Sequence, residues 1–258
     1  MSDWLHGLSF GWLIVIVFAF TYAVAALTWW VVTALATGDR GRGFQAVSPG
    51  MLPPLGVIFG LLVGFLAAGV WSDSDRAQQA VNREASALRS AVLLAESFPG
   101  EPEAKLRLLV RRHIQEAATK DWPEMGEGKV TLTVIPASLA EALRLTLALK
   151  PEGEGQRTAQ RELVSSLQNA LDARRQRIIV SESRVNWVKW TGLALVGLLT
   201  LLAVAFVHSG NRLGAGLAMW IFASAVALSI VLIASQDRPF AGPLRIGPDV
   251  LTQVMPTG

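Results

Sequence analysis

Of 258 residues, 52% are hydrophobic and 17% charged, and the apolar ones are gathered into long charge-free blocks, which excludes an ordinary soluble domain. The absence of cysteine removes disulfides, thiolate catalysis and cysteine metal sites, and leaves the redox compartment open. A formal net charge of +3, with no long basic run and no basic-aromatic interleaving, fits membrane topology better than nucleic-acid binding.

Four blocks are long enough to cross a hydrocarbon core: about Trp12 to Ala36, Met51 to Trp71, Trp190 to Val207 and Leu213 to Ser235. The fold class expected is an all-α membrane protein, with four transmembrane helices in two hairpins flanking a cytoplasmic helical block. Its parts are a membrane hairpin over 1–71, a helical region over 72–189, a second hairpin over 190–236 and a tail over 237–258. The N-terminal stretch has no Lys or Arg before an apolar run too long for a cleaved signal, so the first span is read as retained. The following Gly38-Asp39-Arg40-Gly41-Arg42-Gly43 lacks the strand, helix and Lys-Ser or Lys-Thr of a phosphate loop and is read as a simple loop.

The second span starts at a proline pair, Pro53-Pro54, and carries glycine at every fourth position. Gly56, Gly60 and Gly64 share one helix face and allow a neighbouring backbone to come close, either within one subunit or between copies. Val57, Leu61 and Phe65 form an apolar stripe about 100° further round. If the glycine stripe packs on the same helix of the next subunit, that second stripe narrows a central hole, and apolar constrictions gate by dewetting.

The polar block is rich in Ala, Leu, Glu and Arg and reads as helical. A helix is expected from Ser72 to the stop at Phe98-Pro99-Gly100, burying Ala77, Val81, Ala85, Leu88, Val92 and Ala95. A second runs from Glu101 to about Lys120, burying Leu106, Leu109, Val110, Ile114 and Ala117, and ends at Asp121-Trp122-Pro123. Val130 to Ile135 is β-branched and is read as extended, with Pro136 opening a helix to about Leu149. After Pro151, Gly153 and Gly155, a last helix from about Gln156 buries Leu163, Leu167, Leu171 and Ile178 and leads directly into the third span.

Individual side chains carry further expectations. Asp73 and Asp75 below the stripe would draw cations as a ring, Arg76 and Arg83 would draw anions, and a charged helix start explains them equally. His113 reads as a helix-face residue with pH sensing as its alternative. Arg174 falls on an apolar stripe and demands a partner, with Glu84 and Asp172 as candidates. His6, His113 and His208 are too far apart in sequence for a metal pair, and no metal or other cofactor is expected. Trp29, Trp30, Trp71, Trp187 and Trp190 fit an interfacial belt. No nucleophile, base and orienting residue stand at a recognised spacing, so the chain is not read as an enzyme.

Orientation follows from basic residues near the spans. Arg76, Arg83, Arg89, Arg174, Arg175, Arg177, Arg184 and Lys189 lie on the polar-block side, against Arg40, Arg42 and Arg212 opposite. The polar block and both termini are therefore expected in the cytoplasm.

Several segments together resemble the bestrophin-like family of bacterial membrane proteins, once catalogued as a domain of unknown function and distantly similar to bestrophin channels. They are Ser48-Pro49-Gly50 before the second span, Asn82-Arg83-Glu84-Ala85, Asp121-Trp122-Pro123, and Asp237-Arg238-Pro239-Phe240 after the fourth span, where Pro239 stops the helix and docks the tail. Leu55-Gly56, followed nine residues later by Gly64-Phe65, is similar to the bestrophin pore helix and puts Val57, Leu61 and Phe65 at the apolar neck. The resemblance implies a pentameric homo-oligomer in the bacterial inner membrane, surrounded by lipid and passing monovalent ions, with an anion such as chloride favoured and a cation open. Trp71, Asp73, Asp75 and Arg76 depart from the residues usual after that helix, and no calcium clasp can be identified. Two functional readings stand: an ion channel, and a non-conducting scaffold or sensor acting through its helical block. A lipid-acting enzyme ranks third, since the spans hold almost no polar residues.

Overall fold

The computed structural model describes residues 9–36, 43–44, 49–242 and 244–256. His6, the loop residues Gly38 to Arg42, and Ser48 lie outside them. The described elements are α-helical in chain order: α1 Phe10–Leu35, α2 Leu52–Ala95, α3 Glu101–Glu116, α4 Trp122–Glu127, α5 Ala137–Ala148, α6 Glu154–Ser181, α7 Trp187–Val207, α8 Arg212–Gln236 and α9 Asp249–Gln253. A short 3₁₀ turn, Pro49–Met51, precedes α2, and a π-turn, Ala117–Asp121, joins α3 to α4. No strand occurs among the described residues. The chain divides into two compact units, Met1–Trp71 with Arg184–Asp237, and Ser72–Ser183 with Arg238–Gly258.

Four helices are long and apolar enough to cross a membrane. They are α1, the helical run Pro49–Ala95 containing α2, α7 and α8. At about 1.5 Å per residue the 44 residues of α2 extend for about 66 Å, against a hydrocarbon core of about 30 Å. Its uncharged part ends at Trp71, so the remainder, from Ser72 to Ala95, belongs outside the hydrocarbon. Pro53 and Pro54 are tolerated because the first helical turn needs no internal N–H donors.

In the first unit, Leu13 and Val17 of α1 pack on Ala227 and Val231 of α8. Further along, Ala25 and Val32 meet Leu201, Val204 and Ala205 of α7 and Met219 and Ala223 of α8. Phe59, Leu66 and Val70 of α2 close a third cluster with Leu193 and Ile233. Both turns into the last spans are capped: Asn186 accepts from Val188 N at 3.2 Å, and Asn211 accepts from Gly214 N at 3.0 Å.

The second unit is a packed helical bundle. Ala77, Val81, Ala85, Leu88 and Ala95 of α2 face Leu106, Leu109, Val110 and Ile114 of α3 and Leu163, Leu167 and Ile178 of α6. These are the stripes expected from helical spacing, with Val92 and Leu171 half-buried at their margins. The segment after α8 belongs to this bundle: Phe240 and Leu251 are buried in it, and Arg111 donates to the Pro256 carbonyl at 2.8 Å and 3.2 Å.

Three expectations are corrected. Asp121-Trp122-Pro123 does not end a helix; the backbone widens into the π-turn and continues as α4, with Pro123 in the first turn where its missing N–H costs least. Helix α4 then stops at Gly128, whose φ of 68° fits a left-handed cap. Val130 to Ile135, which could have been extended, forms no strand: a turn at Leu132 and Thr133 interrupts it, and no partner edge exists among the described residues. Helix α6 does not run into the third span: it stops at Ser181, and residues 182–186 break it before Asn186 caps α7.

Candidate functional site

Seen down the axis of α2, Leu66 and Val70 lie within about 20° of Phe59, on either side of it, and the three define the face buried in the first unit. Relative to that face, Val57, Leu61 and Phe65 fall about 160° to 240° away, directly opposite. They are 60%, 56% and 73% exposed, although they are among the most apolar residues of the span. Gly56, Gly60 and Gly64 fall between the two faces, and a Cβ built on any of them meets no atom within 4 Å. Among the described residues, the glycine stripe is therefore not used for packing inside this chain.

Beyond Trp71, Arg76 pairs with Asp73 one turn away, while Asp75 and Arg83 are exposed. Because α2 is continuous there, the helix-start explanation of Asp73 and Asp75 does not hold. Trp30, Trp71 and Trp187 are exposed near span ends, and Trp29 donates to the Arg212 carbonyl at 3.3 Å.

The second unit holds a cluster of buried charges. Glu84 of α2 and Arg177 of α6 are both fully buried. The Arg177 fork donates to Glu84 Oε2 at 2.8 Å from Nε and to Oε1 at 3.2 Å from Nη2, a bidentate geometry that lysine could not reproduce. His113 of α3 contacts Glu84 Oε1 through Nε2 at 2.9 Å. One turn before Arg177, Arg174 makes the same fork to Asp121, at 2.8 Å from Nε and 3.1 Å from Nη2. Arg177 Nη2 bridges the two pairs by reaching Asp121 Oδ2 at 3.4 Å. Arg174 also donates to the Val134 carbonyl at 3.3 Å.

Trp122 completes the cluster. The Arg177 guanidinium lies 4.2 Å from the centroid of its ring, a cation–π contact in a dry interior. Its indole N–H donates to the Ile246 carbonyl at 3.0 Å, and Phe240 packs edge-on at a centroid distance of 6.0 Å. Backbone crowding here is tight, since a Cβ on Gly126 would lie 3.3 Å from the Phe240 carbonyl.

Burial alone would raise the Glu84 carboxyl, but the Arg177 charge and the hydrogen bonds from His113 and Arg177 outweigh it and hold it down at about 2. An ionised carboxylate only accepts, so His113 Nε2 is the donor.

The two carboxylates and two guanidinia balance. Arg174 has the partner its position demanded, but it is Asp121 rather than Glu84 or Asp172, because the π-turn brings Asp121 onto the face of α6. His113 is not a surface residue of its helix: it is 1% exposed, its ring held inward by Glu84. Asp237 likewise turns away from solvent and accepts from Val185 N at 2.6 Å. Among the described residues no group of three or more His, Asp or Glu side chains is placed to hold a metal ion.

Arg177 is the member that pattern reading passed over. Its spacing contained the signal: 163, 167, 170, 174 and 177 advance by alternating fours and threes, so Arg177 falls on the buried stripe as surely as Leu163 does.

A sequence model described as the Bestrophin-like domain matches residues 19–251. No curated protein matches the chain in sequence. Among solved structures, a bacterial bestrophin homologue from Klebsiella pneumoniae bearing one substitution is similar with a TM-score of 0.74 and 12% identity, covering 92% of this chain and 96% of the other. A second crystal structure, of a membrane protein, gives a TM-score of 0.72 at 11% identity, covering 94% and 96%. The all-helical fold with four candidate spans is thus shared with the bacterial homologue.

Proposed function

This chain belongs to the Bestrophin-like domain family, and we propose that it forms a homo-oligomeric ion channel, with α2 of each subunit lining the lumen and Val57, Leu61 and Phe65 forming an apolar neck. The observation that carries this reading is the outward face of α2. Three large apolar side chains stand opposite the helix's own core face, beside three glycines at which an added Cβ would meet nothing from the other described residues. A second copy of α2 laid on the glycines turns the Val57, Leu61 and Phe65 stripes toward a common axis, because the two stripes are adjacent on the helix. A pentamer is the proposed assembly.

In such a ring the barrier to an ion is the loss of its hydration, since no side chain of the neck can replace water. Widening or wetting the ring lowers that barrier. Monovalent ions are the proposed cargo, with family resemblance favouring an anion such as chloride. Below the neck Asp73 is balanced by Arg76, so Asp75 and the exposed Arg83 are the charges left to bias selectivity. The proposed location is the bacterial inner membrane with the polar block and both termini cytoplasmic, a reading that the basic residues near the spans support.

The test is ion flux in proteoliposomes containing wild type or the variant carrying V57A, L61A and F65A together. A conductance increase supports the neck. Unchanged flux, or a closed bundle without an axial hole in a symmetry-free reconstruction, would remove the channel reading in favour of a scaffold.

A further inference from the structure

A groove of about 500 Å³ in the helical bundle is lined by α2 and α6. Its buried members are small, Ala80, Ala87, Ala173 and Ser166, so another surface can come close. Its exposed members include Arg83 and Asp172, and among the described residues neither makes a hydrogen bond or an ion pair. Other surface charges of the bundle are tied within the chain: Arg107 to Glu96 and Glu103, Lys105 to Glu141, and Arg112 to Glu116. Arg89, exposed on α2 outside the groove, is likewise unpaired among the described residues.

Helix geometry separates Arg89 from the groove. At about 100° per residue, the groove-lining positions of α2 centre about 110° round the helix from Asn82 and Arg89, both exposed. A helix in a closed ring touches its two neighbours on faces set apart by the corner angle of the ring, about 90–120° for four to six copies. The two flanks of α2 therefore suit the two sides of one head-to-tail interface. Heights agree as well. Arg177 meets Glu84 at 2.8 Å and Gln156 donates to the Ser97 carbonyl at 2.9 Å, so α6 runs antiparallel to α2. Counting between those contacts sets Asp172 level with about residues 87–89 of α2. Rotation about a ring axis preserves height, so Arg89 of the next copy arrives level with Asp172.

We propose that the groove between α2 and α6 seats a second copy of this chain, whose Arg89 pairs with Asp172 across the interface. The inference rests on the ring of α2 helices proposed above, and adds to it a specific contact between the helical bundles. Each copy offers Asp172 to one neighbour and Arg89 to the other, a heterologous contact of the kind a cyclic ring requires. Asn82 enters on the same flank as Arg89, and the small buried residues leave it room. A small molecule in the groove would leave Arg89 without a counter-charge, whereas a second copy answers both.

The absence of cysteine from the chain makes the contact directly testable. Two single variants of the full-length protein, R89C and D172C, are coexpressed with different tags and oxidised mildly after detergent solubilisation. A disulfide-linked dimer carrying both tags is expected, and neither variant alone should give it. Charge reversal is an independent readout. R89D and D172R should each weaken assembly about tenfold in light scattering coupled to size exclusion, because each sets like charges face to face, and the two together should restore it. Helicity should match wild type throughout, since neither side chain has an ion-pair partner among the described residues of its own chain. A monomeric wild type would overturn the ring reading and this contact with it. An oligomeric wild type that gives no mixed disulfide, or whose two single reversals assemble like wild type, would overturn the groove assignment and leave the ring standing.

Discussion

Replacing Glu84 by Gln tests the buried charge cluster most directly. The substitution conserves volume, so nearly all of its effect is electrostatic. Wild-type Glu84 accepts from Arg177 at 2.8 Å and 3.2 Å and from His113 at 2.9 Å, with no exposure to water. In E84Q, the one ionised partner left to Arg177 among the described residues is Asp121, at 3.4 Å, through an oxygen that already serves Arg174. Two routes give the magnitude. Removing one partner of a buried ion pair costs about 3–5 kcal/mol, because the other charge stays buried without compensation. Holding the carboxyl at about 2 rather than its ordinary value of 4.5 corresponds to about 3 kcal/mol at about 1.4 kcal/mol per pH unit. At about 2–4 °C per kcal/mol for a protein of this size, E84Q should lower the melting temperature by roughly 6–20 °C. Melts at one scan rate in one detergent would compare wild type, E84Q, R177M and the double variant. The double variant removes both charges and should be at least 2 kcal/mol better than the sum of the singles, on the order expected for groups in contact. An E84Q melt within about 2 °C of wild type, or strictly additive singles, would refute the claim that this pair is coupled and buried.

The same carboxyl makes a pH prediction with a definite sign. Its folded value lies below its unfolded value, so its contribution is complete above pH 4.5 and is lost as pH falls from there toward about 2. Wild-type melting temperature should therefore fall more steeply than that of E84Q across this window; parallel curves would argue against an ionised Glu84. In the first unit, Gly60→Leu adds a side chain whose Cβ meets no atom within 4 Å from the described residues beyond its own helical turn. Helicity should be retained and the oligomer lost in light scattering coupled to size exclusion, whereas an intact oligomer would show that the glycine stripe faces lipid. Among neck positions, F65A alone should raise flux more than V57A, since it removes the larger side chain and Phe65 is the more exposed of the two. The reverse order would place the constriction nearer the start of α2.

What was legible in the sequence followed from burial in two solvents. Long uncharged runs located the four spans because hydrocarbon tolerates nothing else, and the 3.6 spacing located the bundle core from Ala77 to Leu88 and from Leu106 to Ile114 because water imposes that periodicity. Failures came where local rules met tertiary geometry. Pro123 reads as a helix stop, yet a π-turn absorbs it, since widening one turn costs less than abandoning the packing of Trp122 and Met125. Arg177 reads as a topology marker in a basic run, yet it faces inward. Positive charge near a span is informative about sides, not about faces. His113 was misplaced for the related reason that a polar side chain on a helix is assumed solvated until a buried partner is known, and Glu84 lies 29 positions earlier in the sequence.

The buried cluster also accounts for why distant polar segments of this chain belong together. Glu84 comes from the Asn-Arg-Glu-Ala segment, Asp121 and Trp122 from Asp-Trp-Pro, and Phe240 from the segment that follows α8, and all meet around Arg177. Each supplies a different kind of contact: a bidentate counter-ion, a shared carboxylate, a ring face, and a ring edge. Neither Glu84, Asp121 nor Trp122 can be exchanged alone without leaving Arg177 less than fully satisfied in an interior that admits no water to its guanidinium, and Phe240 acts through Trp122, whose ring it holds edge-on. A pair of apolar side chains in place of Glu84 and Arg177 would pack with no desolvation cost and could match wild-type stability. Stability alone therefore does not require the charges. Directionality does: a guanidinium fork fixes the angle between α2 and α6 within a hydrogen bond's tolerance, and the same fork, through Trp122, ties α4 to the chain after α8. An apolar pair would leave that geometry to packing, which tolerates sliding more readily than a bidentate ion pair does.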